Sequence, residues 1–148
     1  MRKFIIASLI VSLTVAMASC AANPRCEWYA VHSELAEAEE EVYAYVYGED
    51  KGYEIDGKVL SDMLSGKWEK GERPEGEKLL SVTVGTQYEI CLFENGQAMV
   101  YCGYAGILEK DRCYYTYEID EKVEDICTYI MNNGTEVELE EDGSAADK

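Results

Sequence analysis

The stretch LLSVTVGTQYEICLFENGQAMVYCGY, residues 79–104, decides the fold. Three runs rich in β-branched, aromatic and small apolar residues are separated by two glycine-bearing turns, Val84-Gly85-Thr86-Gln87 and Glu94-Asn95-Gly96-Gln97. A Gly-X pair suits a type II′ turn and Asn-Gly a type I′ turn, the two-residue connections that join antiparallel strands. After a loop over 105–112, CYYTYEI (113–119) continues in the same character. The spacing predicts a four-stranded antiparallel meander over about 78–119.

Working outward, VYAYVYG from Val42 alternates with period two, a turn follows over 48–52, and GYEI returns as a short partner. This predicts an N-terminal hairpin. Asp56 is placed to cap DGKVLSDMLSGKW, where Val59, Leu60, Met63, Leu64 and Trp68 form one apolar stripe and predict a helix over about 57–68. Asp120 is placed to cap DEKVEDICTYIMNNG, where Val123, Ile126, Cys127 and Ile130 predict a helix over about 120–133, stopped by Gly134. The fold expected is α+β, the meander plus the hairpin with two helices packed on the sheet. One domain over 41–134 is expected, preceded by a tether at 20–40 and followed by an acidic tail at 135–148. Within the tether, Leu35, Ala38 and Val42 keep helical spacing, which allows SELAEAEEE to form a short helix.

Two-residue turns would place Leu80, Val82, Val84, Glu89, Cys91, Phe93, Ala98, Val100, Cys102 and Tyr104 on one face of the sheet. Ser81, Thr83, Tyr88, Ile90, Leu92, Met99 and Tyr101 would occupy the other. Neither face is polar. If the helices cover the first, then Tyr88, Ile90, Leu92, Met99 and Tyr101 either lie under the hairpin or tether, or are redistributed by a one-residue register shift, or form a candidate binding surface for a protein or glycan partner. The same pairing makes Cys91 and Cys102 diagonal neighbours, where a disulfide would be strained, so free thiols are expected.

At the N-terminus, Arg2 and Lys3 precede an apolar run from Phe4 to Met17, and small residues follow. That is the layout of an export signal, too short to span a bilayer as a stable helix. Ala16-Met17-Ala18 suits an ordinary signal peptidase cutting after Ala18. Met17-Ala18-Ser19-Cys20 resembles the lipobox of bacterial lipoproteins, with Met17 where that family usually has Leu and Ser19 where it usually has Ala or Gly. The resemblance covers the first 20 residues and implies removal of residues 1–19, palmitate-type acylation of Cys20, and anchorage of the exported chain to the cell membrane or envelope. Two acyl chains make such attachment stable, where one is marginal.

The whole chain carries a formal charge of −17. Without residues 1–19, 11 basic and 30 acidic side chains remain, a charge of −19. Nucleic-acid binding, which needs clustered Lys and Arg on phosphates, is excluded as an expectation, and so is electrostatic attraction to anionic lipid. With Cys20 acylated, Cys26, Cys91, Cys102, Cys113 and Cys127 remain, an odd number. Their intervals of 11, 11 and 14 from Cys91 onward match no zinc module, so no metal and no cofactor is expected. His32, the one histidine, sits in the tether six residues after Cys26, with no third group to orient a Cys-His pair. No G-x-S-x-G, phosphate-cradling loop or H-E-x-x-H occurs. Acidic runs such as Glu39–Glu41 read as solvated.

The sequence therefore predicts a membrane-anchored lipoprotein with a small partner-binding domain and no catalytic residues. The alternative is a small carboxylate-dependent hydrolase acting on cell-envelope polymers. Expression of the full chain in a bacterium tests the anchor. Wild type is expected in the detergent phase on phase partitioning, and Cys20→Ser in the aqueous phase or unprocessed; cleaved, aqueous protein from both would overturn it.

Overall fold

The computed structural model describes residues 27–39, 41–85, 87–102 and 111–138. The expected export signal, the lipobox-like stretch with Cys20, Cys26, residues 103–110 and residues 139–148 lie outside the described residues.

The protein is α+β. Among the described residues, eight strands form one antiparallel sheet: β1 (Val42–Val46), β2 (Gly52–Glu54), β3 (Gly66–Lys70), β4 (Lys78–Val84), β5 (Tyr88–Phe93), β6 (Gln97–Cys102), β7 (Arg112–Ile119) and β8 (Thr135–Val137). Their order across the sheet is β3-β7-β6-β5-β4-β1-β2-β8. Three helices accompany them, α1 (Trp28–Ala36), α2 (Gly57–Met63) and α3 (Val123–Asn133). The sheet is thus wider than the expected four-stranded meander. The N-terminal hairpin joins it through β1 against β4, and β3 and β8 add an edge on each side.

The main core lies on one face. Val31 and Leu35 of α1, Leu60 of α2 with Leu64 just beyond it, and Ile126 and Ile130 of α3 are fully buried in one cluster with alternate strand residues. Those strand residues include Val42, Ala44, Leu80, Val82, Ile90, Leu92, Ala98, Val100, Cys113 and Tyr115. Each such aliphatic side chain removed from water contributes about 1.5–3 kcal/mol. All three helices therefore cover the same side, and the opposite side, called the open face below, carries no helix among the described residues, although Ser81, Cys91, Phe93 and Met99 at its centre are buried.

The register corrects the expected faces. Val84 pairs with Tyr88 and Phe93 with Gln97, so each hairpin loop has three residues between its closing pair, not two. In the second loop Asn95 and Gly96 both take left-handed backbone, φ 63° and 68°, which Asn and Gly tolerate best. Each loop shifts the register by one. The two shifts cancel at β6 but not at β5. Tyr88, Ile90 and Leu92 therefore face the helices, with Ile90 and Leu92 fully buried, while Glu89, Cys91 and Phe93 turn to the open face. Only Met99 and Tyr101 of the five candidate binding residues stay on the open side.

Four further expectations are corrected. The helix expected over 57–68 ends at Met63, although Asp56 caps it, accepting from the backbone N–H of Lys58 (2.9 Å) and Val59 (3.1 Å). Gly66, at φ 158°, lies so close to β7 that a Cβ there would sit 2.3 Å from the Glu118 carbonyl oxygen. The chain can therefore turn into β3, and Trp68 becomes a strand residue. Its ring stacks on Trp28 (centroids 3.5 Å apart) and Tyr117 (5.1 Å), and its indole N–H donates to the Leu64 carbonyl at 2.9 Å. The last helix starts at Val123 with Lys122 at its N-cap, Asp120 standing outside it. Residues 28–36, expected in a tether, form α1, and residues 135–137, expected in the acidic tail, pair with β2 as β8.

No helix among the described residues is long and apolar enough to cross a membrane. Because Leu35 is fully buried between α2 and the sheet cluster, Leu35→Ala is expected to cost about 2–5 kcal/mol. A urea unfolding midpoint unchanged by this substitution would show that α1 is dispensable to the domain.

Candidate functional site

The open face is built by the second alternation of the strands. β1 contributes Tyr43 and Tyr45, β4 Ser81 and Thr83, β5 Glu89, Cys91 and Phe93, β6 Met99 and Tyr101, and β7 Tyr114. Cys91, Phe93 and Met99 are buried there as a second, smaller apolar cluster, with Tyr101 and Tyr114 packed against it. A bulge between Lys78 and Leu80 brings Lys78 opposite Phe93. The Lys78 ammonium lies 5.2 Å from the ring centroid of Tyr47 and 5.9 Å from that of Phe93, within cation–π range. The Arg112 guanidinium lies 5.3 Å from the Tyr101 ring in the same way. Tyr45 meets Tyr47 edge to face at 4.9 Å, and Tyr47 is 43% exposed. The result is an aromatic band with polar hydroxyl tips.

At its centre, Ser81 Oγ donates to Glu89 Oε1 at 2.6 Å and Cys91 Sγ donates to the same oxygen at 3.4 Å. Burial pushes the Cys91 thiol up to about 12, the Glu89 charge adds to the rise, and Lys78 partly offsets it. A thiol held protonated is a poor nucleophile, because the thiolate is the reactive form. Both hydroxyl and thiol give their hydrogen bonds to one carboxylate, so the cluster is a satisfied polar centre with no activated nucleophile. Tyr43 donates to Glu41, and that hydrogen bond, ahead of partial burial, raises its phenol to about 12.

His32 stands on the helix side. Its Nε2 is 2.8 Å from the Ser61 carbonyl oxygen, which can only accept, so Nε2 carries the proton. Ser61 Oγ at 3.0 Å and Ser65 Oγ at 3.4 Å complete a contact that locks α1 to α2. The ring is engaged in holding two helices together and does not present a free base to Ser61.

A cleft of about 630 Å³ opens at the end of the sheet beside the start of α3. Leu79, Phe93, Tyr117 and Val123 line it, and Glu94, Glu118, Glu121 and Glu124 stand around its rim. All four carboxylates share one solvent-exposed setting, whereas two-carboxylate hydrolysis calls for one group in an apolar setting and one in a polar setting. Among the described residues no group of three or more His, Cys, Asp or Glu could hold a metal ion.

Of the sequence candidates, the structure brings Met99 and Tyr101 together on the open face, and buries Ile90 and Leu92 beneath the helices with Tyr88 beside them. Cys20 lies outside the described residues. Tyr43, Tyr45 and Tyr114 were missed because face assignment stopped at three strands; extending the alternation of VYAYV and CYYTY would have reached them. No protein-family model, curated protein or solved structure matches this chain.

Buried acids also set the pH response. The thiols of Cys91 and Cys127 are held up to about 12 and about 11 from an ordinary 9.0, and the Tyr117 phenol to about 12 from 10.0, burial being the main cause in each. Between about pH 9 and 12 the unfolded chain therefore binds fewer protons than the native one, and stability falls as pH rises through that window. Urea midpoints at pH 8, 9.5 and 11 should decline in that order. Cys91→Ser, which keeps a donor to Glu89 and removes the titrating thiol, should flatten the decline; an equal slope would show that Cys91 takes no part.

Proposed function

We propose that this protein is an exported, lipid-anchored binding protein, with Cys20 the acylated residue and the open sheet face the seat of a basic protein partner. The observation that supports the seat is the segregation of all three helices to one face while Tyr43, Tyr45, Tyr47, Tyr101 and Tyr114 cluster on the other. Tyrosine supplies rigid contact area and a hydroxyl at small entropic cost, which is why it recurs at protein interfaces. Eight strands at about 4.8 Å spacing give a sheet roughly 34 Å across, enough for an interface of ordinary size.

A polypeptide fits this face better than a sugar. Lys78 already lies over Tyr47 and Phe93, and Arg112 over Tyr101, so three of the rings on this side are less free to stack on a pyranose. The tyrosine hydroxyls suit hydrogen bonding with main chain and polar side chains. The charge of −19 expected after processing favours encounter with a positively charged surface.

A photo-crosslinking amino acid placed at Tyr45 or Tyr114, with Lys58 and Thr128 on the exposed helix side as controls, tests the seat in the producing cell. One basic protein captured from both open-face positions, lost at high salt and absent from the controls, is the expected result. Adducts of equal yield from both faces, none from the open face, or capture of a glycan alone would overturn the proposal.

A further inference from the structure

We infer that Cys102 is bonded to Cys26, so that a disulfide straps the start of α1 to β6 six residues behind the lipid-bearing Cys20; the inference rests on the anchor proposed above. The chain has six cysteines. Cys91, Cys113 and Cys127 are free thiols, whereas Cys102 is disulfide-bonded. The free-thiol expectation is thus corrected at Cys102, and the one-residue register shift has already moved Cys91 to the other face of the sheet. The partner is Cys20 or Cys26.

The start of α1 chooses between them. Glu27, the residue after Cys26, has Oε1 3.0 Å from Lys70 Nζ. Lys70 Nζ in turn reaches the Tyr115 hydroxyl at 3.3 Å. Trp28 stacks on Trp68 of β3, the neighbour of β7. Tyr115 and Cys113 lie on the helix-side face of β7, Cys113 pairs with Val100, and Cys102 follows Val100 on that same face of β6. Residue 27 is therefore held beside the strand pair that carries Cys102. A disulfide needs Cα atoms about 5.5–6 Å apart, and one chain step is about 3.8 Å. An acylated Cys20 has no thiol left to pair.

This partition gives each cysteine a place: one lipid anchor, one bridge and three buried thiols. It also explains how an odd five can remain once Cys20 is modified. Bond formation joins the two sulfurs and releases two protons and two electrons, which reduce the disulfide of a thiol–disulfide oxidant in the exported compartment to its dithiol. The leash from Cys20 to Cys26 is six residues and spans at most about 20 Å. The domain would thus sit against the membrane surface, and its partner would be met there.

Arg25 separates the two candidates on tryptic digestion, since Cys26 falls in peptide 26–51, Cys102 together with Cys91 in peptide 79–110, and Cys20 upstream of both. The full chain, exported from a bacterium and alkylated with iodoacetamide under denaturing, non-reducing conditions, should yield 26–51 linked to 79–110, with fragmentation placing the alkyl group on Cys91 and the link on Cys102. A peptide containing Cys20 linked to 79–110, or alkylated Cys102, would overturn the inference. Detergent partitioning of the same sample reads the anchor separately, so a Cys26–Cys102 link in aqueous protein would retain the strap and reject the lipid. Thiol titration of denatured protein adds a second reading. Cys102→Ser should gain one thiol over wild type and Cys91→Ser should lose one; no gain in Cys102→Ser would also overturn the strap.

Discussion

Successive side chains of a strand point to opposite faces, so a connection one residue longer or shorter exchanges the buried and exposed sets of everything that follows it. That parity governs this domain. The loops at both ends of β5 hold three residues each, so the first turns β5 over and the second turns the chain back. The energetic reason can be read in Glu89. Two-residue turns would set its carboxylate beneath the helices, where an unpaired charge costs several kcal/mol. With the longer loops, Glu89 reaches the open face and accepts from Ser81 and Cys91, and Ile90 and Leu92 take the buried positions.

Strands with period-two alternation and a local turn were legible in the sequence: β1, β2 and β4–β7 all stand where VYAYV, GYE and the meander runs placed them. So was the Asp56 cap. Elements set by distant partners were not. Trp68 lies four residues after Leu64 and fits a helical stripe as well as a strand. The choice is made by Trp28, 40 positions away, and by the bare backbone of Gly66 against β7. Helix α1 was legible only in part: the spacing of Leu35, Ala38 and Val42 allows a short helix in SELAEAEEE, whereas the helix runs over Trp28–Ala36 and buries Val31 and Leu35, one turn apart. The three residues of β8 carry no pattern of their own and are ordered by β2.

The candidate site was half legible for the same reason. Met99 and Tyr101 lie on β6, where the two register shifts cancel, whereas the three β5 candidates inherit one uncancelled shift. Aromatic alternation in β1 and β7 pointed to Tyr43, Tyr45 and Tyr114, but only the strand order β7-β6-β5-β4-β1 shows that these residues share a surface with Met99 and Tyr101.

The chemistry of that surface supports the binding role proposed above. Catalysis by a cysteine or serine needs a group that takes its proton and a setting that favours the resulting anion. Here Glu89 already accepts from both Ser81 and Cys91, and burial together with the Glu89 charge holds the thiol in its neutral form. The same interactions that disfavour a nucleophile make a stiff platform. The polar centre is satisfied, Lys78 is held over two rings and Tyr45 is braced edge-on against Tyr47. Groups ordered before a partner arrives lose little further freedom when it binds. An open sheet face of this kind can therefore gain affinity from modest contacts, and anchorage on a short leash would supply the local concentration that modest affinity requires.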